Sequence, residues 1–237
     1  MTAPAYYKWL RPDHSGAYGH GDYTAYLPHG KRPGKWLPLV KDPEPCQRGY
    51  HVVTVEYLPE HWVVPGVLYE AEARGATVAQ EEKTACAQLR LTRRVGTLTR
   101  ELAVAFAADC AEHVLPIFET AFPGDKRPRR AIEAARTGVA ARDASRDAAE
   151  AAARAARAAG VAAGAAAWAA RTATWAAWAA WAAEASRTAA GAAPKAGAWA
   201  AGNAAEAAGD AAEAAGNADA ERTWQGTHLI ELLERRP

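Results

Sequence analysis

A chain of 237 residues exceeds the roughly 100–150 residues typical of one domain and has room for two, each with its own core. Its 28 basic against 27 acidic residues leave a net charge of +1, which excludes a general attraction to nucleic acid phosphates or anionic membranes. The three cysteines, Cys46, Cys86 and Cys110, are odd in number and widely spaced, which excludes a disulfide framework or a zinc cluster and fits reduced thiols in a cytoplasm.

Residues 1–95 hold most of the proline, tyrosine and β-branched residues, and the remainder holds nearly all the alanine. That shift divides the chain into a β-rich module, 1–95, and an all-helical domain, 96–237. The first twenty residues lack a basic start followed by an apolar run, so no secretory leader is expected. Tyr6–Leu10 and Tyr23–Leu27 read as short strands bounded by turn-rich segments. YHVVTVEYL (Tyr50–Leu58) and GVLYEAEAR (Gly66–Arg74) alternate in part and are rich in β-branched and aromatic residues, which predicts two more strands. KTACAQLRLTRRV (Lys83–Val95) is compatible with a strand or with the start of a helix.

Past Gly96 the period becomes helical. Leu98, Leu102, Phe106, Cys110, Val114 and Ile117 recur at three and four residues, placing them on one face of a helix over about 97–120, with Cys110 in its core stripe. Thr97 is the expected N-cap, although Glu101 misses capping-box spacing by one. Pro116 is expected to kink the last turn. In FPGDKRP, Asp125 is placed to cap a second helix beginning near Arg127 or Pro128, and Gly160 is its expected stop.

More than half of the residues from Ala151 to Ala220 are alanine, so helix is the one ordered state with strong local preference. Trp168, Trp175, Trp178 and Trp181 sweep an arc of about 140° on one helix face, and Arg171 lies within a turn of two of them. Such a stripe fills a core or, exposed, captures a partner. The span Ala158–Ala183 is long enough to cross a bilayer, but Arg171 at its centre costs ~2.5–3.5 kcal/mol on insertion, so no membrane span is expected. From Ala201 to Glu221 a heptad-like repeat aligns Asn203, Asp210 and Asn217 in a polar stripe, too widely spaced for a calcium loop.

The seven histidines form no HExxH and no ligand pair beside a cysteine cluster. GAYGHGD lacks the flanking strand and helix of a phosphate loop. A hydrolase from Cys46 or Cys110 with His51 or His113 is disfavoured, because a thiol on an apolar stripe is usually inert. No catalytic residue, cofactor or metal is therefore expected.

Two resemblances add to this reading. YKWL (Tyr7–Leu10), CQRGYHV (Cys46–Val52), LYEAEARG (Leu68–Gly75) and Lys83 resemble a small domain of unknown function found in bacterial and phage proteins, often ahead of repetitive segments. FAADCAEHVLPIFE (Phe106–Glu119), DKRPRRAIEAAR (Asp125–Arg136) and ERTWQGTHLIELL (Glu221–Leu233) resemble a family of bacterial helical domains labelled putative immunity proteins. That resemblance implies an all-helical domain that neutralises a toxin by binding it. The polar residues it matches are Asp109, Glu112, Arg127, Arg129, Arg130, Glu133, Arg136, Trp224 and Gln225, expected either to bind a partner or to fix helix register through ion pairs.

The expected fold is α+β: a small β-rich N-terminal module plus an alanine- and tryptophan-rich antiparallel helical bundle. The expected function is non-catalytic protein binding, of immunity or antitoxin type or as a phage-encoded interaction factor. The partner is a protein, or a second copy in a homodimer, with no specific nucleic acid and no membrane. The alternative is a self-associating helical platform that displays the N-terminal module.

Overall fold

A computed structural model describes residues 6–17, 21–137 and 218–235. The expected tryptophan face, the heptad-like repeat, the Gly160 stop and the apolar span around Arg171 lie outside them. The fold is α+β, with an antiparallel four-stranded sheet followed by helices. The chain divides into two compact units, one of residues 1–98 with 226–237 and one of residues 99–225.

In the sheet unit, β1 (Tyr6–Leu10), β2 (Tyr50–Val52), β3 (Gly66–Ala79) and β4 (Thr84–Leu98) are ordered β1-β3-β4-β2. The two edge strands meet at an antiparallel bridge between Tyr7 and Val53, each donating its N–H to the other's carbonyl at 2.8 and 3.1 Å. This one bridge closes the order into a ring of pairings, while the outer stretch of β3 from Glu72 to Ala79 pairs with β4 alone among the described residues. β3 runs beyond Arg74 to Ala79, and the ambiguous segment after Lys83 is strand, because the two form one hairpin from Gly66↔Leu98 to Ala79↔Thr84.

Three local expectations are corrected. Tyr23–Leu27 is not a strand: the Asp22 carboxylate accepts the Thr24 N–H at 2.8 Å, which starts a 3-10 turn over Thr24–Tyr26. The strand from Tyr50 ends at Val52, where its partner β4 begins at Thr84, and Val55–Tyr57 forms a second 3-10 turn instead. The helix cap is Thr99 and not Thr97, since ladder pairing with β3 holds the chain extended through Leu98. Thr99 Oγ1 accepts the Leu102 N–H at 3.3 Å.

Leu10, Val52, Val67, Tyr69, Cys86, Leu89 and Leu91 form the core of this unit. The segment from Gly34 to Val40 lies along β4, donating the N–H of Gly34, Leu37 and Val40 to Leu91, Leu89 and Ala87. Pro38 within it has no donor, so it cannot continue as a full ladder strand. The chain returns through the last part of α3 (Ala218–Glu234). Leu229 and Leu233 are buried, and Arg93 ties Glu70 to Glu234 at 2.7 and 2.8 Å. Two glycines make this packing possible. A Cβ on Gly226 would lie 1.9 Å from the Val55 carbonyl oxygen, and one on Gly96 2.5 Å from that of Leu233.

The helical unit holds α1 (Arg100–Ala121), α2 (Arg127–Thr137) and the first part of α3, residues 218–225. α1 runs on through Pro116 to Ala121. Of its expected apolar stripe Leu102, Phe106, Cys110 and Val114 are buried, whereas Leu98 ends β4 and Ile117 is half-buried, with its neighbour Phe118 turned inward instead. α2 begins at Arg127, whose N–H is accepted by the Asp125 carboxylate at 3.1 Å, and it buries Pro128, Ala131, Ile132 and Ala135. Alanines fill much of this interface, which lets helix axes approach closely but buries little area per residue.

Candidate functional site

On α1, Asp109, Glu112 and His113 stand at helical spacings that place them in one row. The Arg136 guanidinium of α2 reaches Asp109 at 2.8 Å and Glu112 at 2.5 Å. On the other side of the row, His113 Nδ1 meets Glu221 Oε2 of α3 at 2.7 Å. Glu221 is 4% exposed, and its second oxygen accepts the Gln225 side-chain amide at 2.9 Å. Trp224 lies flat on the His113 ring, with centroids 3.7 Å apart and planes 5° from parallel. A buried carboxylate is tolerated here because both oxygens accept hydrogen bonds and a histidine can supply a counter-charge.

The remaining predicted residues sit around the α1–α2 turn. Arg127 pairs with Asp125, and Arg129 forks onto Glu119 with Nε at 2.9 Å and Nη2 at 2.7 Å. The Arg129 hydrogen bonds hold the Glu119 carboxyl below its ordinary range. Arg130 is exposed on the wall of a cavity of about 610 Å³ beside Lys126 and Arg127. Among the described residues its side chain makes no hydrogen bond or ion pair. Glu133 is exposed on the same helix. The nine residues therefore separate into Asp109, Glu112, Arg129, Arg136 and Trp224, whose contacts join helices, Arg127 and Gln225, which pair locally, and the outward Arg130 and Glu133.

Sequence reasoning missed the centre of the cluster. Glu221 reads as one more acid after a polar repeat, and His113 as a neighbour of Cys110 one helical turn away. Their separation of 108 residues leaves no spacing signal.

A histidine oriented by a carboxylate is two thirds of a nucleophilic site, but no reactive thiol accompanies it. Cys110 is fully buried, and burial, reinforced by Glu221 and Asp109, pushes its thiol well above its ordinary range. In the sheet unit, His51 Nε2 accepts the Cys46 backbone N–H at 2.9 Å. The lone pair that a base would offer the Cys46 thiol is therefore engaged. Glu60, His61 and Glu82 bring their ligand atoms within 4.8 Å of one another, a donor set suited to a divalent cation that spacing along the chain does not reveal.

A model of the family described as Imm-5 like putative immunity protein matches residues 93–232. The match covers more than half of the chain and every residue of the polar row, and the chain belongs to that family. It begins inside β4, so the first three strands lie before it. No curated protein and no solved structure matches the chain.

Proposed function

We propose that the chain is a non-catalytic protein-binding protein of the immunity or antitoxin type, which acts by holding a protein partner through its helical unit. Membership of the immunity family is the observation that carries this reading. The site chemistry supports it: ion pairs and the His113–Glu221 contact brace α1, α2 and α3, while Arg130 is exposed beside Lys126 with no ion pair among the described residues. Arginine is favoured at binding hot spots, where its planar fork meets carboxylates. An acidic surface on the partner is the complement.

Among the described residues no helix is long and apolar enough to cross a membrane, and all three cysteines are free, in keeping with action in a reducing cytoplasm. The sheet module then serves as an accessory that the helical unit carries.

Purification of the tagged full chain from a bacterial host tests this reading, with Arg130→Glu as the comparison because it leaves the Arg129–Glu119 fork intact. A stoichiometric partner that is lost in the variant, and that is toxic when expressed without this chain, is the expected result. A self-associated chain of unchanged symmetry with no partner in either form would count against immunity and favour the helical platform.

A further inference from the structure

At the seam where β1 meets β2 the sheet unit holds a cavity of about 540 Å³, within the roughly 300–1,000 Å³ typical of small-molecule sites. Its body is apolar, walled in part by the buried Trp9, Val52 and Val53. Its nitrogen-bearing side chains are Lys8, His51, His61 and Lys83, and no carboxylate lines it among the described residues. Glu82 meets His61 at 3.5 Å but is exposed and outside the lining. Clefts with charges of one sign and low-dielectric walls focus the field and concentrate counter-ions.

Lys8 is the anomaly that gives this cavity direction. On β1 it shares a face with Tyr6 and Leu10, opposite Tyr69 of β3, a place where the alternation calls for an apolar residue. Its ammonium donates to the His51 carbonyl at 2.7 Å and stands 5.6 Å from the centre of the Tyr23 ring. An ammonium has three donors, and among the described residues no carboxylate is paired with this one. Lys8 is half-buried, and burial holds its amine down to about 8, as expected of a partly desolvated cation with no counter-charge beside it. Lys83 approaches the same space from the β3–β4 turn, and with Lys8 it acts electrostatically on both His51 and His61.

We propose that this cavity is a binding site for a small amphipathic anion, a carboxylate or phosphate head directed to Lys8 and Lys83 with an apolar body against Trp9 and Val53. The site is separate from the partner-binding reading of the helical unit and does not depend on it.

Isothermal titration of the full chain with octanoate, octyl phosphate, octylamine and octanol tests the proposal. Buffer treated with EDTA keeps any cation off Glu60, His61 and Glu82. One anion binds per chain, and whichever of octanoate and octyl phosphate binds tighter identifies the head group. Octylamine and octanol bind about tenfold or more weaker, and Lys83→Met and Lys8→Met each weaken the anions by about tenfold, the scale expected when a desolvated charge partner is removed. Equal binding of octanol and octanoate, no binding of either anion at millimolar concentration, or full affinity in both variants would overturn it. Cys46 provides a readout that needs no variant, since it lines the cavity and is exposed while Cys86 and Cys110 are buried. Saturating anion slows its alkylation by iodoacetamide severalfold, and an unchanged rate in the presence of octanoate and of octyl phosphate would also overturn the proposal.

Discussion

The sheet unit and the helical unit reach order by different means. In the sheet unit large aliphatic and aromatic side chains fill a core inside paired strands, and two glycines let α3 come to backbone contact with its neighbours. In the helical unit alanines make up much of the buried α1–α2 surface, and the specific contacts between helices are polar: Arg136 with Asp109 and Glu112, His113 with Glu221, Arg129 with Glu119. Steric fit is unforgiving because interiors are close-packed and backbone atoms cannot move aside cheaply. Charge pairing tolerates more, since an exposed pair returns its partners to water when broken.

This contrast predicts a ranking of substitutions. Gly226→Ala has the largest effect, because its new methyl would overlap the Val55 carbonyl. It lowers stability in urea unfolding by about 3 kcal/mol, the upper end of overpacking costs. A neutral result would mean that the last part of α3 shifts freely, and the contrast would fail at its strongest point. Glu221→Ala comes next, at about 2 kcal/mol, since it removes the acceptor shared by His113 and the buried Gln225 amide. Glu221→Gln restores part of that loss, which separates lost acceptors from lost volume.

A pH series sharpens the comparison inside the sheet unit. Burial pushes the Cys86 thiol up to about 11, so its contribution to stability is full below the ordinary thiol range and is lost as pH rises through about 11. Lys8, held down to about 8, acts with the opposite sign: the unfolded chain binds the extra proton above pH 8, so stability rises from there towards the ordinary lysine range. Tyr23 and Tyr50, raised chiefly by burial, add to the alkaline loss. Urea midpoints of the native chain therefore decline less between pH 8 and 10 than those of Lys8→Met. Equal slopes would show that the ammonium is solvated in the fold.

The smallest effects belong to the exposed side chains. Arg136→Ala, with its side chain 41% exposed, costs about 0.5 kcal/mol or less. Arg130→Glu leaves the unfolding midpoint nearly unchanged, within the roughly 0.5 kcal/mol range of ordinary surface substitutions, while abolishing partner capture. A large loss of stability in Arg130→Glu would reassign this residue from the binding surface to the scaffold.

Several features were legible along the chain because their causes are local. The turn-rich segment after YYKWL marked off β1, partial alternation in GVLYEAEAR gave the first part of β3, and apolar residues at helical spacing gave α1 with Cys110 inside it. Asp125 followed by Pro128 marked the start of α2, through an acceptor for its first amides and a proline whose missing N–H does no harm there. The family resemblance of the later segments came from the same kind of short-range pattern.

Other features had no local cause. β2 ends where its partner strand runs out, Thr99 caps α1 because the ladder holds Leu98, and Tyr23–Leu27 turns because Asp22 outcompetes the strand for the Thr24 amide. The polar centre of the helical unit joins His113 to Glu221, and the cavity of the sheet unit brings Lys8 beside His51 and Lys83. Side-chain period fixes which face of an element a residue takes, and the amino-acid sequence determined that much by itself. Which distant face it then meets, and so which lysine loses its water and which glutamate is buried with a histidine, was decided by tertiary packing, because desolvation and charge act through space and not along the chain.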